Sequence, residues 1–353
     1  MTRQSVGCAH RFTFRLFFVT ACALSSAAFA VYAFIHGNRG MGYAALGAMT
    51  VCCAWFWARP DLWTLIPAAV LVLFYSYRAV FLAPAPGVSG AAPTFDLYAL
   101  YVDASFGTQP SIWVHNLVAR SPTLMAVLQV IYEGLPLALG IAYAACLKNR
   151  ERALRVFAAM FFTAAIGVLC YRLLPICGPA YLPFGDRCFY SGIACSPTSV
   201  TPTSPHLIDI DLAWPRNGMP SLHLAWALLN WWVHRKERIA NWVAIPFVVL
   251  TILATLAYGE HYLVDLAAGF CFALIPWAAC FGGESRRSGL IFGTLGYMTW
   301  VVLIRYRPEL LSHYLSTWAA LLASVAVPLF LVYRPGLKRR IESWLDARNS
   351  DRV

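Results

Sequence analysis

Residues 214–225 read Trp-Pro-Arg-Asn-Gly-Met-Pro-Ser-Leu-His-Leu-Ala, and residues 258–269 read Tyr-Gly-Glu-His-Tyr-Leu-Val-Asp-Leu-Ala-Ala-Gly. Each stretch opens an apolar run, and one further apolar run lies between them. Together they put His223, His261 and Asp265 at the starts of two helices that are otherwise apolar. Ionisable side chains at the edge of a membrane span are costly to keep there and are functional candidates by default. His261 and Asp265 are four residues apart, which places them on one helical face, one turn apart. A carboxylate so placed holds one ring nitrogen and leaves the other lone pair free for chemistry. That is the arrangement of a histidine nucleophile.

The rest of the chain makes a membrane the solvent of these helices. Of 353 residues, 60% are hydrophobic and only 12% are charged, about half the charged fraction of a soluble domain. Runs of about 20 apolar residues recur along the whole length, each long enough to cross a hydrocarbon core of about 30 Å. We expect an all-α, polytopic membrane helical bundle of about ten spans. They fall approximately at 14–35, 41–58, 61–82, 122–147, 153–174, 219–234, 240–257, 260–281, 289–304 and 313–333. The first run is about as long as a span and has no clear cleavage site, so it reads as a retained helix rather than a signal peptide.

With the N-terminus placed in the cytoplasm, nineteen of the 27 lysines and arginines fall in inner segments and the basic tail, among them Arg150, Arg152, Arg155, Arg235, Lys236, Arg238, Arg286 and Arg287. The other eight, including Arg78, Arg172 and Arg216, fall mostly singly on or near the outer side. The positive-inside rule then predicts cytoplasmic termini and an outer, periplasmic face for His223 and His261, with the cell inner membrane as the site of residence. The net charge of +11 follows from that topology and from anionic lipid, so nucleic acid need not be invoked as a partner. Eleven cysteines are scattered without metal-type spacing. Cys177, Cys188 and Cys195 share the long outer loop, where an oxidising compartment would let Cys188 and Cys195 pair.

Between the spans, several stretches carry alternatives. Arg78 fits an arginine snorkelling to the headgroups. Residues 83–121 are too broken to span, and their aromatic and aliphatic positions at 95–101 and 112–118 suit helices lying in the interface, which either steer a headgroup or plug the bundle. Glu133, inside the fourth span, either pairs with an arginine or lines a substrate cavity. At 172–181, Arg-Leu-Leu-Pro-Ile-Cys-Gly-Pro-Ala-Tyr, the prolines and glycine force the chain out of helix, which membrane depth tolerates where a cavity is lined. Arg172 is placed there to meet an anion. The loop onward to 213, rich in Ser, Thr and Pro, is expected to lack regular structure. Pro220 suits a first helical position, so the free N–H groups behind Ser221 and His223 would face a phosphate. The tail from 334, with Ile341, Trp344 and Leu345 at helical spacing, reads as a short cytoplasmic surface helix.

Taken singly, His223 could merely cap its helix and Asp265 could be an ion partner. Their convergence with His261, and with Arg172 and Arg216 at hand, favours catalysis over coincidence. At this point the residues resemble a known family. Met219-Pro220-Ser221-Leu222-His223 resembles the PSxH motif of the type-2 phosphatidic acid phosphatase superfamily, and His261-Tyr262-Leu263-Val264-Asp265 resembles its HxxxD motif. The wording GEHYLVDLAAG at 259–269 and RLLPICGPAY at 172–181 looks most like the branch containing inositol phosphorylceramide synthase; sphingomyelin synthase shares the HYxxD pattern. Two departures stand out. The KxxxxxxRP motif is absent as such, and Ala254 and Thr255 occupy the Ser-Arg positions of SRxxxxxHxxxD, a loss the lipid transferase branch tends to share.

The resemblance implies a six-helix catalytic core at 61–281, with N-terminal spans at 1–60, C-terminal spans at 282–333 and a basic tail at 334–353. It implies a metal-independent lipid phosphatase or phosphotransferase of the inositolphosphotransferase type, without a cofactor, acting on a lipid phosphoester. His261 would attack phosphorus to form a phosphohistidine, Asp265 would orient it, and His223 would serve as general acid and base. Ser221, Arg216, Arg172 and Tyr262 would bind the phosphate. The alternatives are a polyprenyl diphosphate or phosphatidic acid phosphatase, or a non-enzymatic lipid transporter on the same fold.

Overall fold

A computed structural model describes residue 20 and residues 22–37, 39–58, 90–183, 188–189 and 204–350, with 335–350 by backbone alone. The expected third span at 61–82, with Arg78, lies outside the described residues, as do Cys195 and the start of the first span. Helices run in the order α1 (Cys22–Ile35), α2 (Arg39–Ala58), α3 (Asp96–Ala104), α4 (Pro110–Val118), α5 (Pro122–Glu133), α6 (Leu135–Cys146) and α7 (Arg150–Leu173). After a long loop come α8 (Leu222–His234), α9 (Arg238–Ala257), α10 (Leu263–Phe281), α11 (Arg286–Tyr306) and α12 (Tyr314–Ser350). Two short strands, β1 (Ala91–Thr94) and β2 (Ile208–Asp211), pair antiparallel in the register Ala91↔Asp211 to Thr94↔Ile208.

Among the described residues six helices are long and apolar enough to cross a membrane, or seven if the bent α5–α6 pair is one span. The sequence expectation of about ten is not reached. The expected span at 122–147 is broken: α5 and α6 meet at 53°, where Gly134 and the missing N–H of Pro136 interrupt the helical ladder. The span expected at 219–234 is only the 13-residue α8, about 20 Å long at 1.5 Å per residue and short of the hydrocarbon thickness.

The chain divides into two compact units. The first comprises Met1–Val88 and Ala126–Phe161. In it α2 packs on α6 at a glycine pair, where a Cβ on Gly140 would stand 2.7 Å from Gly47 Cα. Small residues of this kind let apolar helices touch backbone to backbone where no hydrophobic force drives them together. Glu133 belongs to this unit, and its partner is a glutamine: Gln129 Nε2 donates to its Oε1 at 3.0 Å.

The second unit comprises Ser89–Met125 and Phe162–Val353. Its central element is α10, with 78% of its apolar window buried against 28–44% for the other candidate spans. Around it lie α8, α11 and α12. Two expectations for the outer segments need correction. First, α3 is no interfacial helix: Ala99, Leu100, Val102, Asp96 and Asp103 are all fully buried. Its two carboxylates need donors, and those donors lie on neighbouring segments rather than in the headgroup layer. Second, the loop before α8 is partly regular, because β2 satisfies its backbone against β1. The tail also differs from a separate surface helix, since α12 continues unbroken through Arg334 to Ser350.

Candidate active site

The site lies in the second unit, where the residues that end α9, begin α10 and begin α8 converge. Tyr262 is the N-cap of α10, so His261 stands just outside the helix rather than on its face. Asp265, the third helical residue, turns its carboxylate back: Oδ2 accepts from Tyr262 N at 2.9 Å and stands 3.5 Å from His261 Nδ1. That distance is a close polar contact rather than a formed hydrogen bond. Such contacts are often long in unliganded sites and tighten with substrate. A proton on Nδ1 facing this carboxylate leaves Nε2 as the free lone pair.

The second histidine arrives on α8. Ser221 is its N-cap, with Oγ accepting from Leu224 N at 3.4 Å, and Ser221 N donates to Asp265 O at 3.2 Å. This approach needs Gly269, where an added Cβ would lie 3.1 Å from Ser221 O. The His223 and His261 rings then meet with centroids 6.1 Å apart at 64°. All four groups are shielded: exposure is 4% for His223, 2% for His261 and zero for Asp265 and Ser221.

The loop 175–181 docks on the turn that carries His261. Ala180 N donates to Gly259 O at 2.9 Å, and Tyr181 Oη donates to Glu260 Oε2 at 2.9 Å. Gly178 has φ +130°, and a Cβ there would lie 2.5 Å from Glu260 O, so only glycine fits on both counts. Phe189 packs on Gly259 from the other side, next to Cys188, which is disulfide-bonded. Cys177, by contrast, is a free and buried thiol.

Of the residues expected to bind phosphate, Ser221 caps the helix that carries His223. Arg216 donates to four backbone carbonyls, those of Ala92, Ile210, Asp211 and Trp214, at 2.8–3.5 Å, and so clamps the β1–β2 ribbon. Arg172 is exposed on the last turn of α7. The Tyr262 hydroxyl donates to Asp96 Oδ1 at 3.1 Å.

Two site residues escaped the sequence reading. Asp96 accepts from Cys177 N (3.0 Å, Oδ2) and Gly178 N (2.8 Å, Oδ1) besides Tyr262. Asp103 accepts from Leu263 N at 2.8 Å and Val264 N at 3.1 Å. Burial pushes the Asp96 carboxyl up to about 6, against the pull of bonds from Thr94, Gly178, Cys177 and Tyr262. Burial likewise raises Asp103, with the charge of Asp265 adding to it and the two N–H donors opposing. The available signal was their spacing: seven residues is two helical turns, so two acids share one face of an otherwise apolar segment.

Among known proteins, the PAP2 superfamily model matches residues 98–279, just over half of the chain and the whole of the geometry above from α3 to α10, Asp96 excepted. No curated protein and no solved structure matches.

Proposed function

The chain belongs to the PAP2 superfamily, and from that premise we propose that it is a membrane lipid phosphotransferase working through a phosphohistidine on His261. The observation that carries the reading is the buried histidine pair: two rings with centroids 6.1 Å apart, with the Asp265 carboxylate 3.5 Å from Nδ1 of His261. A ring with a proton held on Nδ1 is a nucleophile at Nε2, and the second ring, that of His223, is suited to move protons.

His261 Nε2 attacks phosphorus, the N–P bond forms and the bond from phosphorus to the lipid oxygen breaks. His223 gives its proton to the departing alcohol. In the second half-reaction His223 takes a proton from the incoming water or lipid alcohol, whose oxygen displaces His261 and regenerates the free ring. Asp265 stabilises the positive charge that builds on His261. Ser221 and the free N–H groups at the start of α8 stabilise charge on the phosphoryl oxygens. Every step is assigned to side chains and backbone, so this mechanism calls for no metal.

Within the superfamily we favour an inositolphosphotransferase-like reaction. The GEHYLVDLAAG wording supports it, as do Ala254 and Thr255, both fully buried, where a phosphatase of the resembled pattern carries Ser and Arg. The face that holds the site is proposed to be the outer, periplasmic one of the cell inner membrane, with cytoplasmic termini. The disulfide at Cys188, whose neighbour Phe189 packs on Gly259, supports an oxidising compartment on that side.

The test is a lipid panel with purified protein: phosphatidic acid, a polyprenyl diphosphate, and phosphatidylinositol with a sphingolipid alcohol. Headgroup transfer to the alcohol is the expected result, abolished in His261→Ala and blocked by vanadate. Free phosphate without transfer replaces the transferase by a phosphatase. Lipid movement that survives His261→Ala, with no covalent labelling, replaces the enzyme by a transporter.

A further inference from the structure

We propose that α3 is the positioning element of the nucleophile: Asp103, aided by Asp96, sets where His261 stands. The proposal rests on the phosphohistidine reading above. The three residues that follow His261 are each tied to this one helix. Tyr262 is held through its hydroxyl by Asp96, and Leu263 and Val264 are held through their backbone N–H groups by the two oxygens of Asp103. Asp96 also grips Cys177 N and Gly178 N, so the loop that docks beside His261 is referenced to the same helix. Among the described residues no other segment hydrogen-bonds the turn at 262–264 from outside its own helix.

The arrangement is costly as mere capping. A serine or asparagine at the N-cap would satisfy one or two of these N–H groups from within the helix. Here a remote, fully buried carboxylate does so, and burying a carboxylate without a cation is among the most expensive choices a fold can make. Among the described residues no lysine or arginine pairs with Asp96 or Asp103. The groups facing Asp103 are the two N–H donors and the Asp265 carboxylate.

Two consequences follow for the reaction. The N-terminus of α10 would otherwise attract a phosphate, and the two oxygens of Asp103 already occupy its N–H groups at Leu263 and Val264. The substrate phosphoryl group is therefore left to the start of α8, across from His261, and is not drawn behind the nucleophile. Asp103 also brings a second carboxylate to the turn that carries His261, beside Asp265.

The experiment uses full-length protein in detergent with whichever lipid of the panel the wild type turns over fastest. Asp103→Asn keeps one acceptor and Asp103→Ala keeps none. The expected result is a fall in kcat of about 10- to 100-fold for Asn and more for Ala, with KM within about threefold. Tyr262→Phe, a milder change, removes only the Asp96 arm. It lowers kcat with KM flat if the hydroxyl positions, and raises KM if the hydroxyl instead binds substrate. Ser324→Ala, which removes the Trp300 Nε1 bond to Ser324 Oγ at 2.8 Å, controls for lost stability in the same unit. Wild-type kcat in Asp103→Asn, a kcat loss no larger than that of Ser324→Ala at equal folded fraction, or a raised KM in Tyr262→Phe overturns the proposal. An active His261→Ala overturns the underlying reading instead, and is a separate result.

Discussion

Asp96 is the residue whose chemistry departs furthest from what its surroundings in the sequence advertise. It lies in Phe-Asp-Leu-Tyr-Ala-Leu-Tyr, an ordinary amphipathic opening, yet it is fully buried and holds one loop, through two N–H groups, and a tyrosine. Its carboxyl binds a proton up to about pH 6 in the folded protein, against an ordinary value of 3.8. A group that holds its proton more tightly when folded stabilises the fold in acid; the contribution is complete below the ordinary value and is lost as pH rises through 6. The loss is on the order of 2–3 kcal/mol for a shift of this size. The melting temperature of the wild type should therefore fall relative to that of Asp96→Asn as pH goes from 4 to 6, and scanning fluorimetry at half-unit steps measures it. A constant gap between the two proteins over that window rules out the raised carboxyl. At the same scale, Asp265→Asn should cut the rate of phosphohistidine formation by about 10²- to 10⁴-fold while leaving lipid binding close to wild type. The carboxylate faces Nδ1 of His261, the proposed nucleophile, and rapid-quench labelling from a radiolabelled lipid distinguishes the two effects.

Helices α8 and α10 make the site by coming unusually close, and the closeness depends on one missing side chain. Gly269 lies against the backbone of Ser221, the residue that caps α8 and precedes His223 by two. A methyl at 3.1 Å from a carbonyl oxygen forces a shift of a few tenths of an ångström. Gly269→Ala should then cost about 1 kcal/mol of stability and lower kcat several-fold. Gly269→Leu should abolish turnover while the protein still inserts into membranes. An alanine variant with wild-type kcat means that the approach of α8 to α10 does not set the histidine geometry. Element lengths were legible only where the apolar run was uninterrupted. The residues of α9, α10, α11 and the apolar part of α12 read directly as spans. The α5–α6 break at Gly134 and the brevity of α8 did not, because an apolar run has the same composition whether its helix is straight, bent or cut short.

For the molecule as a whole, the membrane assignment rests on composition that no local detail overturns: six described helices are long and apolar enough to cross. Orientation is the proposal that remains to be measured. Cys188 is disulfide-bonded on the side of the histidines, which predicts labelling of that cysteine by a membrane-impermeant maleimide only after reduction. A fluorescent protein fused after residue 353 should mature and fluoresce, as it does in a reducing cytoplasm. Labelling of Cys188 without reductant, or a dark fusion, would reverse or refute the proposed topology.

What the sequence determined by itself was the solvent, the class of fold and the candidate residues His223, His261 and Asp265. Apolar content, charge placement and the spacing of His261 and Asp265 are properties of the chain read in order, and a four-residue separation constrains geometry before any tertiary contact exists. Tertiary structure decided what those groups meet. That Arg216 serves backbone carbonyls, that the Tyr262 hydroxyl goes to Asp96, and that Asp103 plugs the start of α10 each depend on segments far apart in the chain. A buried polar group takes whichever partner the packing brings within 3 Å, and that choice is made only when the helices have come together.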